Sequence, residues 1–172
     1  MVWSFEDRKN YILQCIENLK SEDSTITSQA GKILHNLSDE GDVDLLVAAL
    51  SDTSWYVRLC LSSLLSNLRS RKAVPSLIEL LNDPVDIVRE RAIVALGNIG
   101  DVESFDPLLA ALENDEESSV RYAAAIALGQ LGDKRALPVL TKVEKEDKAI
   151  AANRYEVSEG AAKAIELIRN NS

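Results

Sequence analysis

The sequence predicts an all-α protein, a right-handed α-solenoid of about five stacked helix pairs that forms one domain over residues 1–172. The first observation is a repeat: VRERAIVALGNIGD, from Val88 to Asp101, returns as VRYAAAIALGQLGD, from Val120 to Asp133, thirty-two residues later. A fixed period of roughly 20 to 50 residues is typical of stacked-repeat proteins. The second observation is that 7 Gly and 4 Pro are few for 172 residues, which favours helices over a strand-rich fold with many tight turns.

The repeat register holds along most of the chain. Three copies begin with a Val-Arg pair, and the pairs are 31 and 32 residues apart: Val57-Arg58, Val88-Arg89 and Val120-Arg121. Ile26-Thr27 lies 31 residues before the first pair, and a weaker copy, VSEGAAKAIELI, begins at Val157 after a displacement of 37 residues. We therefore expect five repeats, at approximately 4–38, 41–69, 72–100, 103–132 and 135–169.

Each repeat is expected to consist of a short helix A, a tight turn and a longer helix B. The first helix A is SFEDRKNYILQCIENL, in which Ser4 and Asp7 have the spacing of a helix cap. The next four are the apolar segments VDLLVAAL, AVPSLIELL, SFDPLLAAL and RALPVLTKV. Pro75, Pro107 and Pro138 recur near the start of the last three, where a missing N–H costs nothing.

The combined pattern, P-x-L-x-x-L-L-x-D followed by D-x-x-V-R-x-x-A-x-x-A-L-G-x-I-G-D, resembles the HEAT repeat in its short variety, which is named after phycobilisome lyases. The resemblance covers nearly the whole chain and is strongest from Asp52 to Leu140. Repeats of this kind bury their apolar faces against their neighbours, so terminal copies are expected to degenerate into caps. The resemblance also implies that helices B line the inner, concave surface of the solenoid.

Helical periodicity divides helix B of the third repeat into two faces. Val88, Ala92, Ala95 and Ile99 share the side that we expect to form the core, and Gly97 stands apart as a position of close packing. The stripe that the core leaves unclaimed and its equivalents in the other repeats supply the predicted partner-binding residues: Asn36, Tyr56, Leu59, Asn67, Glu90, Arg91, Val94, Asn98, Tyr122, Ile126 and Gln130. An apolar, aromatic stripe of this kind is typical of a binding surface. In the alternative interpretation, the helices tilt further and these side chains pack between repeats.

Two rows of recurring polar residues also need an interpretation. The carboxamides of Asn36, Asn67, Asn98 and Gln130 suit the backbone of an extended peptide, but each is equally consistent with capping its own helix or holding the next loop. A second row pairs Arg58, Arg89 and Arg121 with Asp52, Asp83 and Asp115, and we expect each arginine to bridge turn aspartates of its own or the next repeat. We interpret this second row as structural.

The fifth repeat contains an insertion of five or six residues around EDKAIAANRYEVSEG, from Glu146 to Gly160. A longer connection in a regular array is a frequent place for function. The same segment is also consistent with a continued helix A followed by a loose turn.

Charge and composition exclude several classes of partner. Asp and Glu outnumber Lys and Arg by 28 to 19, which gives a net charge of −9 and disfavours nucleic acid and anionic membranes. No signal peptide or run of roughly 20 apolar residues is evident, so we expect a cytoplasmic protein. Cys15 and Cys60 are expected to be free thiols.

The residues that carry chemistry in related proteins are missing. A single histidine, His35, with two distant cysteines makes neither a catalytic triad nor a zinc site. HEAT-like hydroxylases carry repeated His-Glu pairs for iron, and none occurs here. We therefore predict a non-catalytic module without a cofactor, which binds a peptide or partner protein on the concave helix-B surface. The alternative that the resemblance implies is a bilin lyase or lyase-like chaperone subunit acting on an open-chain tetrapyrrole.

Overall fold

The fold is an all-α solenoid of stacked helix pairs, which confirms the predicted class. The computed structural model describes residues 4–37, 39–152 and 154–170. Within these residues ten α-helices follow one another: α1 (Phe5–Asn18), α2 (Ser24–Leu37), α3 (Val43–Ala48), α4 (Trp55–Leu68), α5 (Val74–Glu79), α6 (Asp86–Ile99), α7 (Phe105–Asn114), α8 (Ser118–Leu131), α9 (Leu137–Glu146) and α10 (Val157–Asn170). The even-numbered helices are the helices B, and each has 14 residues.

The helix ends follow from local sequence. The Ser4 hydroxyl caps α1 by accepting a hydrogen bond from the Asp7 N–H, as the spacing of these residues predicts. Helices α6 and α8 end at Gly100 and Gly132, whose positive φ of 72° is the left-handed conformation that glycine adopts without strain. Helix α1 is as long as α2, so the expectation of a shorter helix A fails in the first repeat.

One continuous apolar core runs through the whole stack. Each helix B contributes a branched aliphatic residue to the core at the same repeat position, and each of these residues is at most 5% exposed: Leu34, Leu65, Leu96, Leu128 and Ile165. In the third repeat Val88, Ala92 and Ala95 are fully buried as predicted, whereas Ile99 is only partly buried. The core lies both between the two helices of a repeat and between successive repeats, so each repeat also covers its neighbour's apolar face.

Small residues set how closely successive helices B approach. A Cβ atom built on Gly129 of α8 would lie 2.7 Å from the Ala164 Cα of α10, and one on Gly97 of α6 would lie 2.8 Å from the Ala127 Cβ of α8. These contacts confirm the predicted role of Gly97 in close packing. Helix α2 carries His35 at the equivalent position, and it packs less closely on α4 than the later helices B pack on one another.

The arginine row joins each repeat to the next, as expected from the sequence. Arg89 donates two hydrogen bonds, of 2.8 and 2.9 Å, to the Asp115 carboxylate of the following turn and one of 3.0 Å to the Asp83 carbonyl of its own turn. Arg58 makes the same contacts with Asp83 and the Asp52 carbonyl. Arg121 repeats them with Asp147 and the Asp115 carbonyl. The first repeat has Thr27 in place of the arginine, and there Lys20 forms the ion pair with Asp52.

The glycine contacts generate a test of the packing. Gly129→Ala is expected to lower the free energy of unfolding by about 1–3 kcal/mol, because its methyl group would enter the space held by the Ala164 backbone. Gly31→Ala is the matched control within α2, where a Cβ would meet only Leu19 Cδ2 at 3.9 Å. There the substitution is expected to stabilise by about 0.5–1 kcal/mol. Urea denaturation of both variants measures the difference, and an equal response of the two would contradict the packing argument.

Candidate functional site

Asn36, Asn67 and Asn98 apart, the predicted partner-binding residues line two separate cavities. We call them the Glu90 cavity, of about 210 Å³ between α6 and α8, and the Tyr56 cavity, of about 250 Å³ between α2 and α4. Glu90 and Arg91 are neighbours on α6, yet Glu90 lines the first cavity and Arg91 the second. Helix α6 therefore separates the two cavities, with Glu90 on one side and Arg91 on the other.

The Glu90 cavity has mainly apolar walls. Five predicted residues line it, together with Ser119, Ala123, Ala127, Ala151 and Ala152: Glu90, Val94, Tyr122, Ile126 and Gln130. Ala123 is 7% exposed and is part of the core. The other lining residues from the stripe are partly buried except Gln130, which is exposed. These side chains therefore pack partly between repeats and also line a cavity.

The inserted segment of the fifth repeat forms one wall of this cavity. Helix α9 ends at Glu146, so the expectation that the insertion continues helix A is wrong. The chain instead makes a turn in which the Ala151 N–H donates a 2.9 Å hydrogen bond to the Tyr155 carbonyl. The Ser118 hydroxyl at the start of α8 donates to the Ile150 carbonyl at 2.9 Å. These bonds hold the turn against α8, and Ala151 and Ala152 thereby face the cavity.

A cluster of aromatic rings and one cation supports Tyr122. The rings of Tyr122 and Tyr155 stack with centres 6.2 Å apart. The Lys163 ammonium lies 4.3 Å from the centre of the Tyr155 ring and donates a 3.4 Å hydrogen bond to the Tyr122 hydroxyl. Gly160 leaves room for the tyrosine, since a Cβ there would lie 2.9 Å from Tyr122 Cδ2. The Tyr122 ring is therefore held in a fixed orientation at the edge of the cavity.

Glu90 is the one carboxylate in the lining of this cavity. Burial among apolar walls raises its pKa, an effect that the charge of Asp86 reinforces, while Arg91 and the Ser119 hydroxyl act in the opposite direction. No ion pair within 4 Å of Glu90 is formed by the described part of the chain, in contrast to Asp83 and Asp115 in the arginine row. The ionised carboxylate is thus partly desolvated without a direct cationic partner.

The Tyr56 cavity follows from the looser junction of the first two repeats. Gly31, Leu34 and His35 of α2 face Tyr56, Leu59 and Cys60 of α4 across it, and Arg91 closes one end. Burial raises the pKa of the Cys60 thiol, which the Tyr56 hydroxyl and Arg91 lower only in part. The thiol is therefore neutral near pH 7 and is not an activated nucleophile.

The carboxamide row links neighbouring helices B. Gln130 Nε2 donates to Asn98 Oδ1 at 3.3 Å, and Asn98 Nδ2 donates to the Ser66 hydroxyl at 2.9 Å. Asn67 Nδ2 lies 3.4 Å from His35 Nδ1, and Asn36 is exposed at the start of the row. These bonds connect an amide to the preceding helix B. They do not cap the amide's own helix, which was the alternative interpretation of the row. Each amide in them uses one donor and keeps further hydrogen-bonding capacity.

The family of the chain follows from comparison with known sequences. Residues 12–97 and 80–159 match the family described as HEAT repeats. The two matches together span most of the chain, so the protein belongs to the HEAT-repeat family. A curated relative, deoxyhypusine hydroxylase from Gallus gallus, is 36% identical over 77 residues, which are 44% of this chain and 26% of that protein. The chain thus spans about a quarter of the length of this relative.

Solved structures support the same fold. The chain resembles a chain in the complex of CpcE and CpcF of phycocyanin lyase from Nostoc sp. PCC7120, with a TM-score of 0.71 and 26% identity, covering 92% of this chain and 65% of that one. A designed armadillo repeat protein in complex with the peptide (KR)4 has a TM-score of 0.61 at 19% identity, covering 95% of this chain and 86% of that one. The second likeness shows the fold alone.

Two other features, a metal site and a membrane-spanning helix, are absent from the described residues. No group of three or more His, Cys, Asp and Glu side chains in these ranges is placed to hold a metal ion. Among the same residues, no helix has the length and apolar composition needed to cross a membrane. Cys15 and Cys60 are free cysteines.

The burial of Glu90 predicts how its replacement changes stability with pH. Its folded-state pKa lies above the ordinary value of 4.5, so the ionised form disfavours the folded state. Glu90→Gln should therefore raise the free energy of unfolding at pH 7. The gain should disappear as the pH falls to about 4 and below, where Glu90 is protonated in both the folded and the unfolded state.

Chemical denaturation of wild type and Glu90→Gln between pH 3 and 8 measures this difference. Glu113→Gln removes one charge from an exposed position of α7 and serves as the control. A loss of stability at pH 7 in Glu90→Gln alone would mean that the carboxylate has a stabilising partner.

Proposed function

We propose that the protein is a non-catalytic interaction module that binds an extended peptide segment of a partner protein along its concave helix-B surface. The observation that carries the proposal is the pair of apolar cavities on the helices B, each with a tyrosine at its wall. They lie on either side of α6, and the carboxamide row extends from Asn36 of α2 to Gln130 of α8. A bound peptide would place one side chain in each cavity and its backbone along the carboxamide row.

The energetics of such a complex would centre on the tyrosines. Tyr56 and Tyr122 are partly buried before any partner binds, so little side-chain entropy remains to be lost on binding. Aromatic anchors of this kind dominate the binding free energy in many interfaces. Leu59, Val94 and Ile126 would add apolar contact area, whereas Asn67, Asn98 and Gln130 would satisfy backbone groups of the peptide.

Selection from a random peptide library tests the proposal. Peptides selected on the wild-type protein should bind Tyr122→Ala at least about tenfold more weakly, because a central aromatic anchor contributes on the order of 2 kcal/mol. Tyr122→Phe keeps the ring and is expected to bind nearly as well as wild type. Tyr11→Ala removes an exposed tyrosine of α1 that lines neither cavity, and controls for general effects.

Ile126→Ala provides a second probe of the same wall, in case Tyr122→Ala perturbs the Tyr155 stack. The proposal fails if no peptide is selected, or if the selected peptides bind Tyr122→Ala and Ile126→Ala as tightly as wild type.

A second function is favoured by the likeness to the phycocyanin lyase complex: handling of an open-chain tetrapyrrole by a lyase-like subunit. The propionate groups of such a molecule call for basic partners, and Arg91 is the one Lys or Arg side chain that lines either cavity. The cavities therefore offer a poor match to the ligand's charge. This candidate stands behind peptide binding for that reason.

Titration of the protein with biliverdin separates the two candidates. A tetrapyrrole-handling subunit should shift and sharpen the visible absorbance of the pigment at stoichiometric protein, and Arg91→Gln should weaken that shift. An interaction module without this activity should leave the spectrum unchanged. The control is Arg135→Gln, an exposed arginine on the helix-A side of the fifth repeat.

A further inference from the structure

The Glu90 cavity differs from the Tyr56 cavity in the charge that it offers to a ligand. Glu90 is the only charged residue among the described residues that line it, and these remaining walls are apolar, aromatic or neutral polar. The Tyr56 cavity has Arg91 instead. A side chain that enters the Glu90 cavity therefore meets a carboxylate beside an aromatic ring, whereas one that enters the Tyr56 cavity meets a guanidinium.

The Glu90 carboxylate lacks the compensation that the other partly buried acids have. Asp83 and Asp115 are each bound by two nitrogen atoms of an arginine. Glu90 has the Ser119 hydroxyl and the more distant charge of Arg91, but no salt bridge within the described residues. A partly buried carboxylate of this kind gains most from a cation that donates hydrogen bonds directly to it.

The charges around the Glu90 cavity also favour the binding of a cation. Asp86 lies one turn before Glu90 on α6 and adds negative charge, and the whole chain carries a net charge of −9. Lys163 is the nearby cation on the opposite side, but it is bound to the Tyr122 hydroxyl and the Tyr155 ring and does not line the cavity. The tyrosine pair thus already binds one ammonium group outside the cavity, and Tyr122 also forms part of the wall that a cation in the cavity would meet.

We propose that the Glu90 cavity receives a lysine or arginine side chain of the bound peptide, with the Glu90 carboxylate as its charge partner and Tyr122 as its aromatic wall. The assignment rests on the proposed peptide-binding function and narrows the partner to a peptide with a basic residue. The aliphatic stem of that residue would pack on Val94 and Ile126, which suits the mainly apolar walls.

Fluorescence anisotropy with the labelled peptide (KR)4 tests the assignment at physiological ionic strength. We expect (KR)4 to bind wild type and to bind Glu90→Gln about tenfold more weakly or worse, because the variant removes one partner of a partly desolvated charge pair. Glu113→Gln removes the same charge from the exposed surface of α7 and should change the affinity less than about twofold. An uncharged peptide of equal length, (QS)4, should show no difference between the variants.

Three outcomes overturn the assignment. They are no binding of (KR)4 to wild type, equal weakening by Glu90→Gln and Glu113→Gln, and unchanged affinity in Glu90→Gln. The peptide library distinguishes this failure from that of the proposed function. If it yields peptides that depend on Tyr122 but lack enriched Lys or Arg, peptide binding stands and the cavity takes an apolar side chain; if it yields none, peptide binding itself fails.

Discussion

The close approach of successive helices B is the constraint on which the remaining structure depends. Gly97 and Gly129 let α6, α8 and α10 come together until backbone meets backbone, and this spacing brings the arginine of one repeat within reach of the aspartate of the next. At the first junction, where α2 carries His35 instead, α2 packs less closely on α4 and the Tyr56 cavity lies between them. The closely packed junctions are those with a small residue at this position, Ser66, Gly97 or Gly129.

Much of the fold could be predicted because the repeat period can be read directly from the sequence. The Val-Arg pairs, the recurring prolines and the helix-end glycines occupy equivalent positions, and each has one dominant physical explanation. The arginine row was predictable for the same reason, since Arg58, Arg89 and Arg121 each recur with an aspartate. Periodicity failed at the ends, where α1 is longer than the other helices A and Lys20 replaces the missing arginine.

The candidate site could be predicted only as a set of residues on one side of the helices. Helical periodicity cannot show that Glu90 and Arg91 face different cavities, because that division depends on the distances between helices. Sequence reasoning also missed Tyr155 and Lys163, which belong to no repeat position and meet Tyr122 through the inserted turn. The length of the insertion was the available signal. It identified the segment but did not indicate the contacts that Tyr155 and Lys163 make with Tyr122.

The direction of the arginine contacts also determines how the array can grow. Each guanidinium binds a carboxylate of the following turn and a carbonyl of its own, so every internal repeat presents an acceptor to the unit before it and a donor to the unit after it. Each unit therefore has a direction, because its two ends carry different hydrogen-bonding groups. Duplication of one internal unit would leave every donor matched to an acceptor, which gives an evolutionary route to longer arrays that preserves each junction.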